Sequence, residues 1–278
     1  MNTAPISIIV PAYNSAGFLT GLLGSVARQR FECEVIINDD TRTDDETAEV
    51  VERFRRQGLD ITLLKENRSR AQARNAAAGH ATGECLLILD SDMELGEGLL
   101  AECAEKAAQG YDALVIPEES FGSTFWAECR WLEKKCYEGV DEIEALRFVR
   151  ADVFYLVGGY SNELVHREDK DLDLRVRSVA RRVGRTEAYI YHNEGALRLL
   201  EAARKKAYYG RTAHLYAEKQ PDAFAWEMNP ANRYLLFVKN RRYVCSYPLQ
   251  FVGLIVLKTV EFAAAGVAHL LFRLRSHG

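Results

Sequence analysis

Two carboxylates separated by one residue, Asp90 and Asp92, follow a short apolar run in the sequence. The run, residues 85–89, predicts a buried strand. Because residues i and i+2 of an extended chain project to the same side, both carboxylates can address one divalent cation. Carboxylate oxygens suit Mg²⁺ or Mn²⁺. A metal site and a solvated turn both explain this pair when it is taken alone.

A second acidic pair, Asp39 and Asp40, ends another predicted strand at residues 34–38. A carboxylate at a strand end in an α/β nucleotide site accepts hydrogen bonds from a base or a ribose. The alternative is local. Thr43 and Glu46 fit a capping box that opens the next helix, which leaves the two aspartates in a solvated loop.

Acidic residues also gather at the start of a predicted helix over residues 169–183. The positive end of a helix favours ionised carboxylates, whereas the charge of Glu168 opposes ionisation of its neighbours. Asp169 borders the apolar face of this helix, and a partly buried carboxylate at a pocket edge can act as a general base. Asp171 and Arg175 are four residues apart and are expected to pair. Simple complementation of the helix dipole is the alternative. The predicted apolar face consists of Leu172, Val176, Val179 and Val183.

Two further groups have side chains suited to chemistry. His192 follows a short predicted strand at residues 188–191, where a metal ligand and a structural histidine are both consistent with the pattern. Lys205 belongs to a basic cluster beside Tyr208 and Tyr209. This combination suits a diphosphate, membrane headgroups or a solvated helix face.

Apolar runs and helical patterns alternate along the first 195 residues. Such alternation predicts an α/β fold with a mostly parallel sheet flanked by helices, in which functional residues gather at the carboxyl ends of the strands. Residues 118–152 show no clear pattern. The predicted strands are residues 6–10, 34–38, 61–64, 85–89, 113–117 and 188–191. The predicted helices contain the apolar positions of residues 19–26 and 48–54, and cover residues 71–80, 98–109 and 169–183.

The overall composition is that of a globular protein. The 278 residues include 36 Lys and Arg against 40 Asp and Glu, a net charge of −4, and 48% are apolar. These proportions exclude a collagen, a disordered chain and a disulfide scaffold. The acidic balance argues against nucleic acid as a partner. The six cysteines lack metal-site spacing and the N-terminus lacks a signal-peptide pattern, so a reduced, cytoplasmic protein is expected.

Charge is distributed unevenly along the chain. Residues 196–278 contain 13 basic and five acidic residues, whereas residues 1–195 contain 23 basic and 35 acidic residues. We therefore expect a domain over residues 1–195 and a basic, helical C-terminal extension over residues 196–278. A basic extension suits phosphates or an anionic membrane surface.

Residues 248–272 form a mostly apolar run that is long enough to span a bilayer. On a helix, Gln250, Lys258, Glu261 and His269 fall within about 100° of arc and form a polar stripe. A polar stripe is unfavourable in a lone membrane span. Three interpretations of this segment are therefore possible. It is a membrane span, a helix that lies in the membrane interface, or a helix packed on its own protein or in an oligomer.

Six short motifs carry more information through their order and spacing than singly. They are Val-Pro-Ala-Tyr-Asn at 10–14, Asp-Asp-Thr-Arg-Thr-Asp at 39–44, Ala-Arg-Asn at 73–75, Asp-Ser-Asp at 90–92, Gly-Gly-Tyr at 158–160 and Glu-Asp-x-Asp-Leu at 168–172. Over roughly residues 5–195 the series resembles the inverting family 2 glycosyltransferases. The resemblance implies a GT-A fold, a nucleotide-diphosphate sugar donor, Mg²⁺ or Mn²⁺ as cofactor, and a glycan or lipid-linked acceptor in cell-surface glycan synthesis.

The resemblance also implies roles for individual residues. Asp169 corresponds to the catalytic base, and Asp92 and His192 correspond to positions at the metal. The expected donor-binding residues are Pro11, Tyr13, Asn14, Asp40, Arg74 and Asp90. The expected supporting residues are Asp39, Glu168, Asp171 and Lys205.

Two segments depart from the family pattern: Thr41-Arg42, where Gly-Ser is usual, and residues 67–70, which lack a frequent glycine. They leave open which base and sugar the donor carries. A nucleotidyltransferase is disfavoured because the N-terminal region lacks a Gly-rich phosphate loop. A non-catalytic binding module predicts degraded Asp-x-Asp or Glu-Asp motifs, and both are intact. The chain also lacks a Gln-x-x-Arg-Trp motif, which favours transfer of single residues over polymerisation.

Overall fold

The computed structural model describes residues 5–276, and their elements alternate as the sequence predicts. The strands are β1 (Ile6–Ala12), β2 (Cys33–Asp39), β3 (Asp60–Lys65), β4 (Cys85–Ile88), β5 (Met93–Leu95), β6 (Ala113–Val115), β7 (Glu118–Phe121), β8 (Leu146–Arg150), β9 (Val183–Arg185) and β10 (Ile190–Asn193). The helices are α1 (Ala16–Arg28), α2 (Thr47–Arg56), α3 (Arg70–Gly79), α4 (Leu99–Ala108), α5 (Phe125–Tyr137), α6 (Ala151–Leu156), α7 (Glu168–Val179), α8 (Leu199–Lys219), α9 (Pro221–Met228), α10 (Pro230–Lys239), α11 (Arg241–Ser246) and α12 (Pro248–Ser276).

The chain divides into two compact units. The first contains the chain up to Glu118 together with Ala145–Asn162 and Glu168–Asn193. The second contains Glu119–Glu144, Glu163–Arg167 and the chain from Glu194 onward. The sequence-based division at residue 195 assigned the two internal segments of the second unit to the N-terminal domain, whereas the structure groups them with the C-terminal helices.

A seven-stranded sheet in the order β3-β2-β1-β4-β8-β6-β9 forms the centre of the first unit. The strands β3, β2, β1 and β4 run parallel, and β1 aligns with β2 from Ile6 opposite Cys33 to Ala12 opposite Asp39. The strand β8 is antiparallel to both β4 and β6. The mostly parallel α/β sheet is therefore confirmed, with one reversed strand inside the region where the sequence shows no pattern.

Apolar side chains cover both faces of this sheet. Along β1, Ile8 and Val10 join one buried cluster, and Ile9 joins the other. This alternation follows from the two-residue period of a strand. On α1, Leu19, Leu22, Leu23 and Val26 are all buried against the first cluster, as their helical spacing predicts.

Two local predictions are wrong. The expected capping box of Thr43 and Glu46 does not form, because α2 begins only at Thr47 and the Thr43 hydroxyl donates to Asp39 Oδ1 at 2.6 Å. Asp45 instead accepts the backbone N–H of Thr47 at 3.0 Å.

The predicted apolar face of α7 is also too long. The helix ends at Val179, whose side chain is 44% exposed, and Val183 lies on β9. Leu172 and Val176 are the buried apolar residues of the helix, because α7 ends at Val179 and the chain continues to β9.

A square of buried charges joins α5 and α12 in the second unit. Arg130 contacts Glu133 and Glu261 at 2.5 Å each, and Lys258 Nζ lies 2.7 Å from a carboxylate oxygen of each of the same two residues. Burial alone raises the pKa of Glu261, but Lys258 and Arg130 lower it to about 2. The two carboxylates, Glu133 and Glu261, are therefore held in their charged form by the neighbouring cations.

Replacing Lys258 with Met should lower the free energy of unfolding at pH 7 by about 3–5 kcal/mol, because two buried carboxylates would then share one cation. Urea denaturation would measure this loss. The matched control is Lys239→Met, which alters an exposed lysine of the same unit and should stay within about 0.5 kcal/mol of wild type.

Acid should remove the stabilisation that the charge square gives to the folded chain. The pKa of Glu261 is lower in the folded chain than in the unfolded chain, so its stabilisation is complete above the unfolded pKa and is lost as the pH falls toward 2. The difference between wild type and Lys258→Met should therefore shrink in acid. Equal differences at neutral and acidic pH would contradict the charge square as its origin.

Candidate active site at the carboxyl edge of the sheet

The loops after β1, β2 and β4 meet at one edge of the sheet. Asn14 Oδ1 accepts the backbone N–H of Asp44 at 3.0 Å, which joins the first two loops. The hydroxyls of Ser15 and Ser91 lie 3.0 Å apart and join the first loop to the third. Asn14 has a positive φ of 46°, a conformation that asparagine tolerates better than most residues. The predicted gathering of polar residues at this edge thus forms where neighbouring parallel strands end.

Arg74 lies at the centre of the site and is almost fully buried, with 1% of its surface exposed. Its Nη1 donates to Glu168 Oε1 at 3.0 Å, and its Nη2 donates to Asp90 Oδ1. The guanidinium also lies 5.0 Å from the ring centroid of Tyr160. Burial alone lowers the pKa of Arg74, but Asp90, Glu168 and the nearby Asp169 raise it overall. Arg74 is therefore a fixed cation that links α3, the end of β4 and the start of α7.

The motifs at residues 73–75 and 158–160 are joined directly. Asn75 Oδ1 accepts the backbone N–H of Tyr160 at 2.8 Å, and Asn75 Nδ2 donates to the Tyr160 carbonyl at 2.8 Å. Gly159 adopts a φ of +65°, and a Cβ there would lie 2.7 Å from Asn75 Oδ1. The glycine is thus required both by its backbone conformation and by the close approach of Asn75.

A second buried guanidinium, Arg147 on β8, continues the chain of charges. Its Nε donates to Glu118 Oε1 at 2.7 Å, and its Nη1 lies 3.8 Å from Asp90 Oδ2. Glu118 Oε2 in turn lies 3.9 Å from His192 Nδ1. Sequence reasoning missed Arg147 and Glu118, because both fall in the stretch without a readable pattern. The available signal was an arginine inside the apolar run of residues 145–149.

Two carboxylates of this site have pKa values shifted in opposite directions. Burial favours the neutral form of Asp90, but Arg74 and Arg147 outweigh it and hold the pKa of Asp90 well below its usual range. For Glu168, burial and the neighbouring charge of Asp169 prevail over Arg74, so its pKa is raised. Opposed shifts in one cleft are typical of functional sites.

Asp169 and Asp171 occupy different environments at the start of α7. Asp169 is half-buried, and its Oδ1 accepts the backbone N–H of Lys170 at 2.8 Å. Asp171 is fully buried and accepts from Arg175 Nη2 at 2.7 Å, so the predicted pair forms. Ser161 also donates to Asp171 at 2.6 Å. Asp171 therefore fixes the helix, whereas Asp169 stays partly accessible to solvent.

The predicted base-binding residues surround an arginine. Arg42 donates from Nε and Nη2 to the two carboxylate oxygens of Asp40 at 2.9 and 2.6 Å. The same guanidinium lies 5.5 Å from the ring centroid of Tyr13, which is 55% exposed. These hydrogen bonds lower the pKa of Asp40. Arg42, the departure from the family pattern, thus covers the carboxylate expected to meet the base.

Three further residues were predicted to belong to the site: Pro11, Asp39 and Lys205. Pro11 pairs with Asn38 in the parallel ladder of β1 and β2. Asp39 is buried, and burial raises its pKa although Thr43 donates to it. Asp39 therefore holds the loop after β2. Lys205 lies on α8 in the second unit, and its side chain is exposed.

The two carboxylates of the Asp-x-Asp motif have separate partners. Asp90 is held by the two arginines, whereas Asp92 Oδ2 lies 3.2 Å from His192 Nε2. Asp92 Oδ1 is buried without a hydrogen-bond partner, which is the property of a carboxylate that can accept a cation. Within residues 5–276 no group of three or more His, Cys, Asp or Glu side chains has the arrangement of a metal site. The two residues expected at the metal, Asp92 and His192, thus lie beside each other.

Comparison with known proteins points to one family. A family model described as "Glycosyl transferase family 2" matches residues 7–160. The poly(ribitol-phosphate) beta-N-acetylglucosaminyltransferase TarS of Staphylococcus aureus is 39% identical over 103 residues, which are 35% of this chain and 18% of TarS. The GalNAc(5)-diNAcBac-PP-undecaprenol beta-1,3-glucosyltransferase of Campylobacter jejuni is 34% identical over 110 residues, 38% of this chain and 35% of that enzyme. The chain therefore aligns with well under half the length of these curated relatives.

Solved structures resemble nearly the whole chain. The TarS 1–349 complex with UDP-GlcNAc has a TM-score of 0.64 at 18% identity, covering 97% of this chain and 92% of that one. The mannosyltransferase PcManGT of Pyrobaculum calidifontis, in complex with GDP-Man and Mn²⁺, also has a TM-score of 0.64 at 18% identity, covering 97% and 88%. At such identity the likeness concerns the fold, and it confirms the predicted GT-A architecture.

Replacing Arg147 with Met should cost about 3–5 kcal/mol of stability, because Asp90 and Glu118 would lose a cation they share inside the protein. Arg147→Lys should recover part of this loss by restoring the charge. The control is Arg150→Met on the same strand, where the arginine pairs with the exposed Asp152; it should cost about 1 kcal/mol or less. Equal losses at the two positions in chemical denaturation would refute the assignment.

Proposed function

Because the chain belongs to glycosyl transferase family 2, we propose that it transfers a sugar from a nucleotide-diphosphate sugar to an acceptor with inversion at the anomeric carbon. The acceptor group is a hydroxyl or a lipid phosphate, in the synthesis of a cell-surface glycan or glycolipid. One observation carries the proposal: Arg74 ties the Asp90 carboxylate to Glu168, next to Asp169, at the carboxyl edge of the parallel strands. This arrangement supports the proposal, because Asp90, the expected donor-binding carboxylate, and Glu168, the neighbour of the proposed base, bind the same guanidinium.

In this mechanism Asp169 removes the proton from the acceptor hydroxyl. The resulting oxygen attacks the anomeric carbon from the face opposite the nucleoside diphosphate, and one displacement inverts the configuration. The neighbouring cations Arg74 and Arg147 lower the pKa of Asp90 and so keep this carboxylate charged. The Glu168 carboxylate pairs with Arg74, and Arg70 Nη1 lies 3.4 Å from the same Glu168 oxygen. Glu168 and Arg70 therefore act by positioning α7.

The leaving group is a diphosphate, which departs readily once its charge is neutralised. Asp92 and His192 are the residues that would hold Mg²⁺ or Mn²⁺, since Asp92 has a buried oxygen without a protein partner. A bound divalent cation would supply Lewis-acid neutralisation of the diphosphate. Lys205 is assigned to anion binding on the second unit, where its side chain is exposed.

The names of the relatives support a lipid-linked or polymeric acceptor. TarS acts on poly(ribitol phosphate), and the Campylobacter enzyme acts on an undecaprenol-linked glycan. A relative in Klebsiella pneumoniae, 28% identical over 115 residues that are 39% of this chain and 35% of that protein, is an undecaprenyl-phosphate 4-deoxy-4-formamido-L-arabinose transferase. We place this chain in the cytoplasm, peripheral on the membrane through residues 196–278. The charge balance and the apolar helix α12 support that placement.

Asp169→Asn should lower the rate of sugar transfer by about 10²–10⁴, the usual contribution of a general base, without weakening donor binding. Steady-state assays with the nucleotide sugar that the chain uses would measure the rate of transfer, and nucleotide titrations would measure donor binding separately. The control is Asp152→Asn, which removes an exposed carboxylate of the same unit. Near-full activity of Asp169→Asn would assign the base to another group.

A thermal-shift screen would test UDP, GDP, TDP and CDP, each with and without Mn²⁺. The Tm should rise by several degrees with the nucleotide of one base, because a ligand at about 100 times its Kd adds about 2.7 kcal/mol to the free energy of unfolding. The Mn²⁺-dependent part should disappear in Asp92→Asn, while Asp152→Asn keeps it. No shift with any nucleotide would favour a non-catalytic module on the same fold.

A further inference from the structure

The long helix α12 is packed in the opposite sense to an ordinary amphipathic helix. Its polar stripe faces the protein: Lys258 and Glu261 are buried in the charge square, and Gln250 donates to Glu128 at 3.0 Å. Leu254 and Leu257 are also fully buried beside them. The prediction of a polar stripe on one face was sound, but the structure turns that face inward.

The opposite face is apolar and exposed. Turning about 100° per residue, its exposed side chains fall within about 100° of arc and extend over about 33 Å of helix. We name this surface the apolar stripe. Among the exposed positions between residues 249 and 272, Thr259 alone is polar. The stripe consists of Leu249, Val252, Val256, Val267, Leu270 and Leu271.

A neighbouring helix widens this surface. The Tyr234 hydroxyl lies 3.2 Å from Thr259 Oγ1, which brings α10 alongside one border of the stripe. Leu235 and Val238 of α10 are 64% and 69% exposed. A contiguous apolar surface of this kind on a globular chain marks an interaction site.

The charge of the surrounding sequence is strongly one-sided. Residues 228–278 contain seven Lys and Arg and one acidic residue, Glu261, which is buried in the charge square. Lys239, Arg241 and Arg242 lie just before α12 with exposed side chains. Tyr243 and Tyr247 follow them and are 39% and 40% exposed. Basic residues and tyrosines beside an apolar surface are the composition that anionic lipid headgroups attract.

From these observations we infer that the apolar stripe lies flat on an anionic phospholipid bilayer, with Lys239, Arg241 and Arg242 at the headgroups. The inference rests on the membrane part of the proposed function and specifies the surface and the lipid. The helix does not cross the bilayer, since crossing would pull Lys258 and Glu261 away from Arg130 and Glu133. A second copy of the chain, pairing stripe to stripe, is the competing occupant, and the repulsion between the basic residues that would then meet disfavours it.

The test is cosedimentation of the full chain with phosphatidylcholine vesicles, with and without phosphatidylglycerol. Wild type should bind the vesicles containing phosphatidylglycerol and bind pure phosphatidylcholine much less. Leu270→Glu should weaken binding by about tenfold or more, since burying a leucine is worth at least that factor. Arg241→Gln should weaken it by about fivefold, and only when phosphatidylglycerol is present. The control is Leu156→Glu, which adds the same charge at a leucine of 72% exposure on α6 and should bind as wild type.

Several outcomes would overturn the inference. Equal vesicle binding by Leu270→Glu and Leu156→Glu would remove the stripe from the contact. Retention of the chain in vesicles after alkaline carbonate extraction would show a span. A wild-type dimer that Leu270→Glu dissociates, without vesicle binding, would assign the stripe to a second copy. Val252→Glu repeats the test should Leu270→Glu fail to fold. Nucleotide thermal shifts, measured without lipid, report separately on the proposed reaction, so either proposal can fail alone.

Discussion

A guanidinium that is buried away from water needs carboxylates beside it to balance its charge. Arg74 is such a group, and it lies at the carboxyl edge of the sheet. An uncompensated buried charge costs several kcal/mol, so the end of β4 and the start of α7 cannot move independently of α3. Arg147 extends the condition to β8 through Asp90 and Glu118. The position of Asp169 follows from this lattice of charges, because its neighbour Glu168 is one of the groups that Arg74 holds.

The same physical rule has a different consequence in the second unit. There the paired charges do not line a cleft but fasten a mostly apolar helix by its polar face. Hydrophobic burial alone would also favour turning the valines and leucines of the apolar stripe inward. The ionic square opposes this turn, because Glu261 pairs with Arg130 and Lys258 pairs with Glu133, and both of these partners lie on α5. The apolar stripe is thereby left exposed to solvent. Its exposure follows from the ion pairs between α5 and α12 and not only from the amino-acid composition of α12.

The parts that were predictable from the sequence are those encoded by local patterns. Apolar runs such as residues 6–10 and 85–89 defined the parallel strands, and the order of the motifs identified the family. What local patterns do not encode is long-range pairing. The reversed strand β8 carries Arg147, whose partner Glu118 is 29 residues away in sequence. The capping box at Thr43 failed for a local reason, because the threonine hydroxyl donates to Asp39, four residues earlier at the end of β2, instead of capping the helix.

The site therefore combines a rigid part and an adaptable part, distinguished by exposure. Arg74 and Arg147 are buried, so their ion pairs cannot exchange for water or ligand without a large penalty. Arg42 pairs with Asp40 at the surface, where such a pair contributes little and rearranges easily. Under the proposed function, an incoming base can displace Arg42 from Asp40, or stack with it on Tyr13, without disturbing the buried ion pairs. Donor preference can then change through residues 41–42 without moving Asp169, so this loop can tolerate a departure from the family pattern.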